Sequence, residues 1–125
     1  MVYLIDTNII IRFLVGDHQE HLAVATEIFT KIESGEYEVE ILESVIMEAL
    51  FVLVKFYKLP QSEVIEDLKR IIALRGVVGE KIVLLETLNI VDGKNIDFVD
   101  ALICAKSRLR GYGKLSFDKD VNKKC

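Results

Sequence analysis

The stretch Met1-Val2-Tyr3-Leu4-Ile5-Asp6-Thr7-Asn8-Ile9-Ile10-Ile11-Arg12 decides the fold. Residues 2–5 are aliphatic, aromatic or β-branched and stop at Asp6, the pattern of a short, fully buried strand. Residues 8–15 then read as a short helix ended by Gly16. A buried strand that hands over directly to a helix predicts a parallel sheet with helices on its faces. In such sheets ligands bind beyond the carboxyl ends of the strands, which is where Asp6 falls.

Working outward, Leu22, Ala25, Phe29 and Ile32 line one face of a helix over 18–34, and Gly35 is its natural stop. Residues 37–42 alternate and read as a second strand near an edge. Ser44 is placed to cap a helix over 45–57. Pro60 marks the start of another, which runs to about Leu74 with Val64, Ile65, Leu68, Ile71 and Ile72 as its apolar face. Ile82-Val83-Leu84-Leu85 reads as a third strand, and residues 86–92 are ambiguous. Asp97 opens a helix over 98–110, residues 113–117 read as a last short strand, and 118–124 as a helical turn. The expectation is one α/β domain over residues 1–125, a three-layer α/β/α fold around a short parallel sheet of four strands, or five.

Composition narrows the function. With 125 residues, 51% of them apolar, the chain can build a real core. The longest clean apolar run, Ala49 to Val54, is far below the ~18 residues of a membrane span. The first residues carry no basic segment or cleavage site, so the expectation is a cytoplasmic protein. The two cysteines, Cys104 and Cys125, form no metal-spaced pair, and Cys104 reads as a small core residue. The net charge of −4, from 16 basic and 20 acidic residues, is not the signature of a basic DNA-binding surface. It is compatible with a nucleic acid met through bound cations instead of bare carboxylates.

Four acids stand out. Asp6 and Asp118 both fall where a strand gives way to a helix, and Asp100 lies in the first turn of one. Glu48 interrupts a helix that is otherwise nearly all apolar from Val45 to Val54. Singly, each has a bland reading: Asp6 and Asp118 as helix caps, Asp97 and Asp100 as a capping pair, Glu48 as part of a thin solvent-facing stripe with Ser44 and Lys55. Jointly they are harder to dismiss, because strand ends of a parallel sheet lie on one side. Gathering four carboxylates is costly. Two of them ~6 Å apart repel by roughly 3 kcal/mol at an effective dielectric of 20. A hard cation such as Mg²⁺ or Mn²⁺ relieves that repulsion through oxygen ligands, and it can generate hydroxide and brace a scissile phosphate. The chemistry that follows is phosphodiester hydrolysis.

The ordered set resembles the PIN-domain family, and within it the VapC-type toxins of prokaryotic toxin–antitoxin pairs. Asp6-Thr7-Asn8 followed by Ile9-Ile10-Ile11-Arg12 is similar to the first motif, and Glu48 to the second acid. Asp97-Phe98-Val99-Asp100-Ala101-Leu102-Ile103 is similar to the third motif, with Asp100 in the catalytic place. Ser116-Phe117-Asp118-Lys119-Asp120 is similar to the fourth, with Ser116 where Thr is usual. The resemblance implies Mg²⁺ or Mn²⁺ and endoribonuclease activity. It also implies a homodimer and a small antitoxin that inserts side chains into the site. Asp6, Glu48, Asp100 and Asp118 would then be both catalytic and metal-binding, with Thr7, Asn8, Asp97, Ser116 and Asp120 in support. Family members usually run on to a further strand after the fourth acid, and here only seven residues follow it, so the fifth strand is expected to be missing. Arg12, Arg108 and Lys119 are candidates to contact RNA phosphate, with Arg110 and Lys114 as weaker ones.

Rival readings fare worse. A haloacid-dehalogenase-like phosphatase needs an Asp where Asn8 stands. A response-regulator receiver needs an acidic pair near the first strand and a phospho-acceptor Asp ending a central strand, and neither is present. A nuclease of ribosomal-RNA processing is the main enzymatic alternative, and a catalytically inactive PIN fold used as an RNA- or protein-binding module is the non-enzymatic one.

Overall fold

The opening apolar run is a strand, β1, spanning Val2–Leu4 in a computed structural model that describes residues 1–125, but it is not buried as expected: all three residues are exposed, because the strand lies at an edge of the sheet. After Asp6, α1 runs Thr7–Val15. It ends because Gly16 adopts left-handed backbone, φ 69°, which returns its N–H to the Arg12 carbonyl at 3.1 Å. α2, Gln19–Ser34, buries Ala25, Phe29 and Ile32, and the Phe29 ring meets Phe13 of α1 at 4.5 Å between centroids.

β2, Glu38–Glu40, pairs in parallel with β1, Val2 opposite Glu38 and Leu4 opposite Glu40. β3, Val77–Val78, pairs in parallel with β2, so the sheet order is β1-β2-β3 and β2 is the central strand, not near an edge as expected. Gly76 makes that last pairing possible. A Cβ there would collide with the Tyr37 carbonyl and come within 2.6 Å of the Ile32 carbonyl. The bare backbone instead donates its N–H to Ile32 and accepts from Val39, each at 2.8 Å.

α3, Glu43–Phe51, passes without a break into a wider π-helical turn, Val52–Phe56, and Lys58 at φ 59° ends the run. α4 covers Gln61–Ile72. Ile10, Ile32, Ile46, Leu53, Ile65, Leu68 and Ile72 are fully buried, the aliphatic faces that the helical spacing predicts. These elements belong to one compact unit, Met1–Lys81.

The second unit is Ile82–Cys125. α5 spans Lys81–Lys94 and buries Val83, Leu84, Thr87, Leu88, Ile90 and Val91. α6 spans Phe98–Arg110, as its spacing predicts, and α7 is a five-residue helix, Lys119–Lys123, packed on α6. Cys104 of α6 is disulfide-bonded to Cys125. No helix of the protein is long and apolar enough to cross a membrane.

Several sequence expectations are corrected. Residues 82–85 are not a strand but the first turns of α5. A four-residue apolar run fits either state, and the buried positions that continue at 87, 88, 90 and 91 give the helical answer. The third strand is the two-residue β3, too short to carry a pattern. Residues 113–117 form no strand: they join no ladder, and Leu115 and Phe117 are fully exposed. The sheet therefore has three strands, neither four nor five. The helix placed at 45–57 begins earlier, with Leu42 at its N-cap, so Ser44 is not the cap.

Candidate active site

In the first unit, Asp6 sits two residues past β1 and is the N-cap of α1. Its backbone is extended, φ −85° and ψ 149°, and its carbonyl accepts the Ile9 N–H at 3.1 Å. Its carboxylate accepts no capping hydrogen bond, so the helix start does not occupy it. The side chain is exposed, beside an apolar pocket of about 220 Å³ walled by Tyr3, Ile5, Ile9 and Tyr37. Thr7, the first residue of α1, is buried, at 4% exposure, while Asn8 is exposed. Glu48 lies in the second turn of α3, a helix that packs against α1. Glu48 is exposed, as are Ser44 and Lys55, which is the polar stripe the helical spacing gives. Arg12 is engaged by Asp17 at 3.2 Å.

In the second unit, Asp97 is the N-cap of α6, and its carbonyl accepts the Ala101 N–H at 2.9 Å. Its carboxylate makes no capping bond, contrary to the expectation that it opens the helix with its side chain. Asp100 follows in the first turn and is half-buried. Its carboxyl is held above the usual aspartate range, first by burial and then by the charges of Asp118, Asp97 and Asp120, with a hydrogen bond to Asp118 adding to the effect. The bond acts in that direction because the neutral Asp100 carboxyl donates and Asp118 accepts.

Asp118 is held through both its backbone and its side chain. Its N–H donates to the Ser116 hydroxyl oxygen at 2.8 Å, and its Oδ1 accepts the Asp120 N–H at 2.7 Å as the N-cap of α7. The Ser116 carbonyl in turn accepts from the Asn122 side-chain amide at 3.0 Å. Ser116 and Asp120, singled out as supporting residues, thus shape the turn that presents Asp118. Asp120 also pairs with Lys124 at 3.5 Å. Lys119 is exposed directly after Asp118. Arg108 reaches Glu86 at 3.9 Å and the Cys125 carbonyl at 3.3 Å.

No group of three or more His, Cys, Asp and Glu side chains is gathered in a geometry that would hold a metal ion. The donor chemistry nonetheless fits a hard cation. The acids offer only oxygen, both cysteines are tied into the disulfide, and Asp100 is crowded by like charges that a cation would offset. The disulfide itself was missed in the sequence. Its only signal was that two cysteines, 21 residues apart, are all the chain has.

A short parallel sheet whose first strand passes into a helix through an aspartate defines an α/β protein. Residues 3–125 match the family model described as the PIN domain, and the chain belongs to the PIN domain family. PIN domains are generally metal-dependent nucleases. No curated protein and no solved structure matches the chain.

Proposed function

We propose that the protein is an endoribonuclease dependent on Mg²⁺ or Mn²⁺, acting as the toxin of a type II toxin–antitoxin pair, with Asp6, Glu48, Asp100 and Asp118 as its catalytic and metal-binding carboxylates. The observation that carries the reading is the Asp100–Asp118 pair. A half-buried carboxyl whose pKa is raised by burial and by a neighbouring carboxylate is poorly suited to a merely structural role. In a PIN domain matched over residues 3–125 it has an evident use.

A bound Mg²⁺ or Mn²⁺ would supply a hydroxide nucleophile at neutral pH and neutralise charge on the scissile phosphate. The chain's own part is positional. Asp100 and Asp118 would hold the cation between them, and its charge would offset the repulsion that raises the Asp100 pKa. Ser116 and the Asp120 N–H hold the Asp118 carboxylate in one orientation. Asp6 remains available because α1 does not use its side chain as a cap. Lys119 is the better phosphate contact, since Arg12 and Arg108 already have partners.

The toxin role and the small antitoxin rest on the resemblance of the four motifs to VapC-type proteins. A homodimer is supported by Phe51 and Phe56, which are 64% and 74% exposed on α3 and its π-helical continuation, next to Tyr57. The test is cleavage of single-stranded RNA with and without Mn²⁺, with Asp6→Asn as the control. Metal-dependent cleavage lost in the variant is expected. Cleavage that persists in chelator, or that Asp6→Asn leaves intact, overturns the assignment.

A further inference from the structure

The segment that carries Asp118 has little of its own to hold it. α7 is five residues long, too short for a helix to be stable by itself, and only Val121 of it is buried. Residues 111–118 before it lie in no helix or strand. Two ties fasten its far end to α6: the Cys104–Cys125 disulfide and the hydrogen bond from the Arg108 guanidinium to the Cys125 carbonyl at 3.3 Å. Cys104 stands four residues after Asp100 and therefore on the same face of α6, one turn along. The covalent tie thus fixes the Asp118 segment to the very helix that bears its carboxyl partner.

We propose that the Cys104–Cys125 disulfide is a redox-sensitive positioning staple that holds the 118–124 segment, and with it the Asp118 carboxylate, in register with Asp100. The functional consequence rests on the nuclease reading above. The two sulfurs differ in access: Cys104 is buried at 1% exposure, whereas Cys125 is partly exposed. A dithiol reductant attacks at Cys125 Sγ, and the Sγ–Sγ bond breaks with Cys104 as the leaving thiolate, which takes up a proton. The second thiol of the reductant then attacks its own mixed disulfide with Cys125. Two electrons and two protons pass to the protein, which ends with two thiols, while the reductant ends as a cyclic disulfide. In a compartment that keeps thiols reduced, such a bond is a switch and not a permanent brace.

The experiment uses the full chain in air-oxidised and dithiothreitol-reduced forms, beside Cys125→Ser. Thiols are first counted in the denatured, unreduced protein, and two free thiols would overturn the proposal at once. Amide exchange is then followed without metal, and Mn²⁺ binding is measured by calorimetry. Reduction is expected to lower protection at Asp120, Asn122 and Lys124 at least tenfold while sparing the middle of α6, and to weaken Mn²⁺ binding several-fold. Cys125→Ser should match the reduced protein and ignore dithiothreitol. Protection that is the same in both redox states overturns the staple, as does unchanged Mn²⁺ affinity despite lost protection. Absence of Mn²⁺ binding in either state overturns the nuclease reading, and the exchange result then decides the staple alone.

Discussion

The hydroxyl oxygen of Ser116 accepts the backbone N–H of Asp118 at 2.8 Å, so a serine two residues upstream sets the conformation from which the aspartate is presented. Removing that acceptor frees the turn, at a cost of about 1 kcal/mol for a lost hydrogen bond. Ser116→Ala should therefore lower metal-dependent RNA cleavage about tenfold, on the scale of a displaced ligand-supporting group. Global melting should barely move, because the turn is exposed. Ser116→Thr keeps the hydroxyl and should restore cleavage. Equal rates for the Ala and Thr variants would remove Ser116 from the site.

Asp100 gives a pH dependence with a definite sign. Its folded pKa lies above the ordinary 3.8, chiefly through burial and then the neighbouring carboxylates. The fold therefore favours the protonated form. That contribution is fully present below the unfolded value and is lost as pH rises through the raised folded value. Asp100→Asn keeps the shape in a neutral form, so the metal-free variant should melt higher than the parent at pH 7. The difference should vanish near pH 3. Cleavage should fall by orders of magnitude, since a ligand charge is gone. Melting curves across that range, without metal, check the sign; a variant that melts lower at pH 7 contradicts it.

Where pattern and length were both strong, the sequence carried the structure. α1, α2 and the α6 span of Phe98–Arg110 lie where their apolar spacing puts them, and β1 lies where expected along the chain but is exposed, not buried, because it is an edge strand. Legibility failed where a short apolar run lacked long-range information. Ile82-Val83-Leu84-Leu85 is equally apolar as strand or helix, and a two-residue β3 has no period at all. Leu115 and Phe117 alternate as strand residues do, but a strand exists only with a ladder partner, and these side chains are exposed. The acids were legible as residues because Asp6, Asp100 and Asp118 fall at element boundaries. Their hydrogen bonds were not. Asp118 uses its side chain as a cap, whereas Asp6 and Asp97, of identical chemistry and placement, do not.

Gly76 is a test of the sheet. Its missing side chain lets the Tyr37 and Ile32 carbonyls close in, and both obstacles are backbone, which cannot swing away. Gly76→Ala should destabilise the protein by about 3 kcal/mol, at the upper end of ordinary overpacking. Denaturant unfolding measures it. A loss under 1 kcal/mol would mean that the β2–β3 pairing is looser than the 2.8 Å bonds around Gly76 indicate.

The proposed homodimer is open to a single charge. Phe56 is 74% exposed and meets Tyr57 edge-on, at 5.2 Å between centroids. Since it contributes little to the core, Phe56→Glu should leave melting nearly unchanged. Placing a carboxylate in a self-complementary apolar patch should nevertheless shift the protein from dimer to monomer. Sedimentation at tens of micromolar reads the outcome. A parent protein already monomeric at that concentration contradicts the dimer.

Asp97 and Asp100 stand three residues apart at the start of α6, and the structure separates their roles. Asp97 is at the N-cap position, but its carboxylate makes no capping bond, so there is none to lose. Asp97→Asn should change stability by less than about 0.5 kcal/mol, since Asn serves the N-cap position about as well as Asp. It should still act on its neighbour. Asp97 is one of the charges that push the Asp100 carboxyl upward, so its neutralisation should let Asp100 ionise at lower pH. The acid limb of Mn²⁺ binding should then move to lower pH, with cleavage at neutral pH only modestly changed. Asp100→Asn, by contrast, should abolish that limb together with most of the cleavage. Mn²⁺ titrations from pH 4 to pH 7 and RNA cleavage on both variants distinguish the two residues. If Asp97→Asn abolishes cleavage while Asp100→Asn spares it, the catalytic place belongs to the N-cap residue instead.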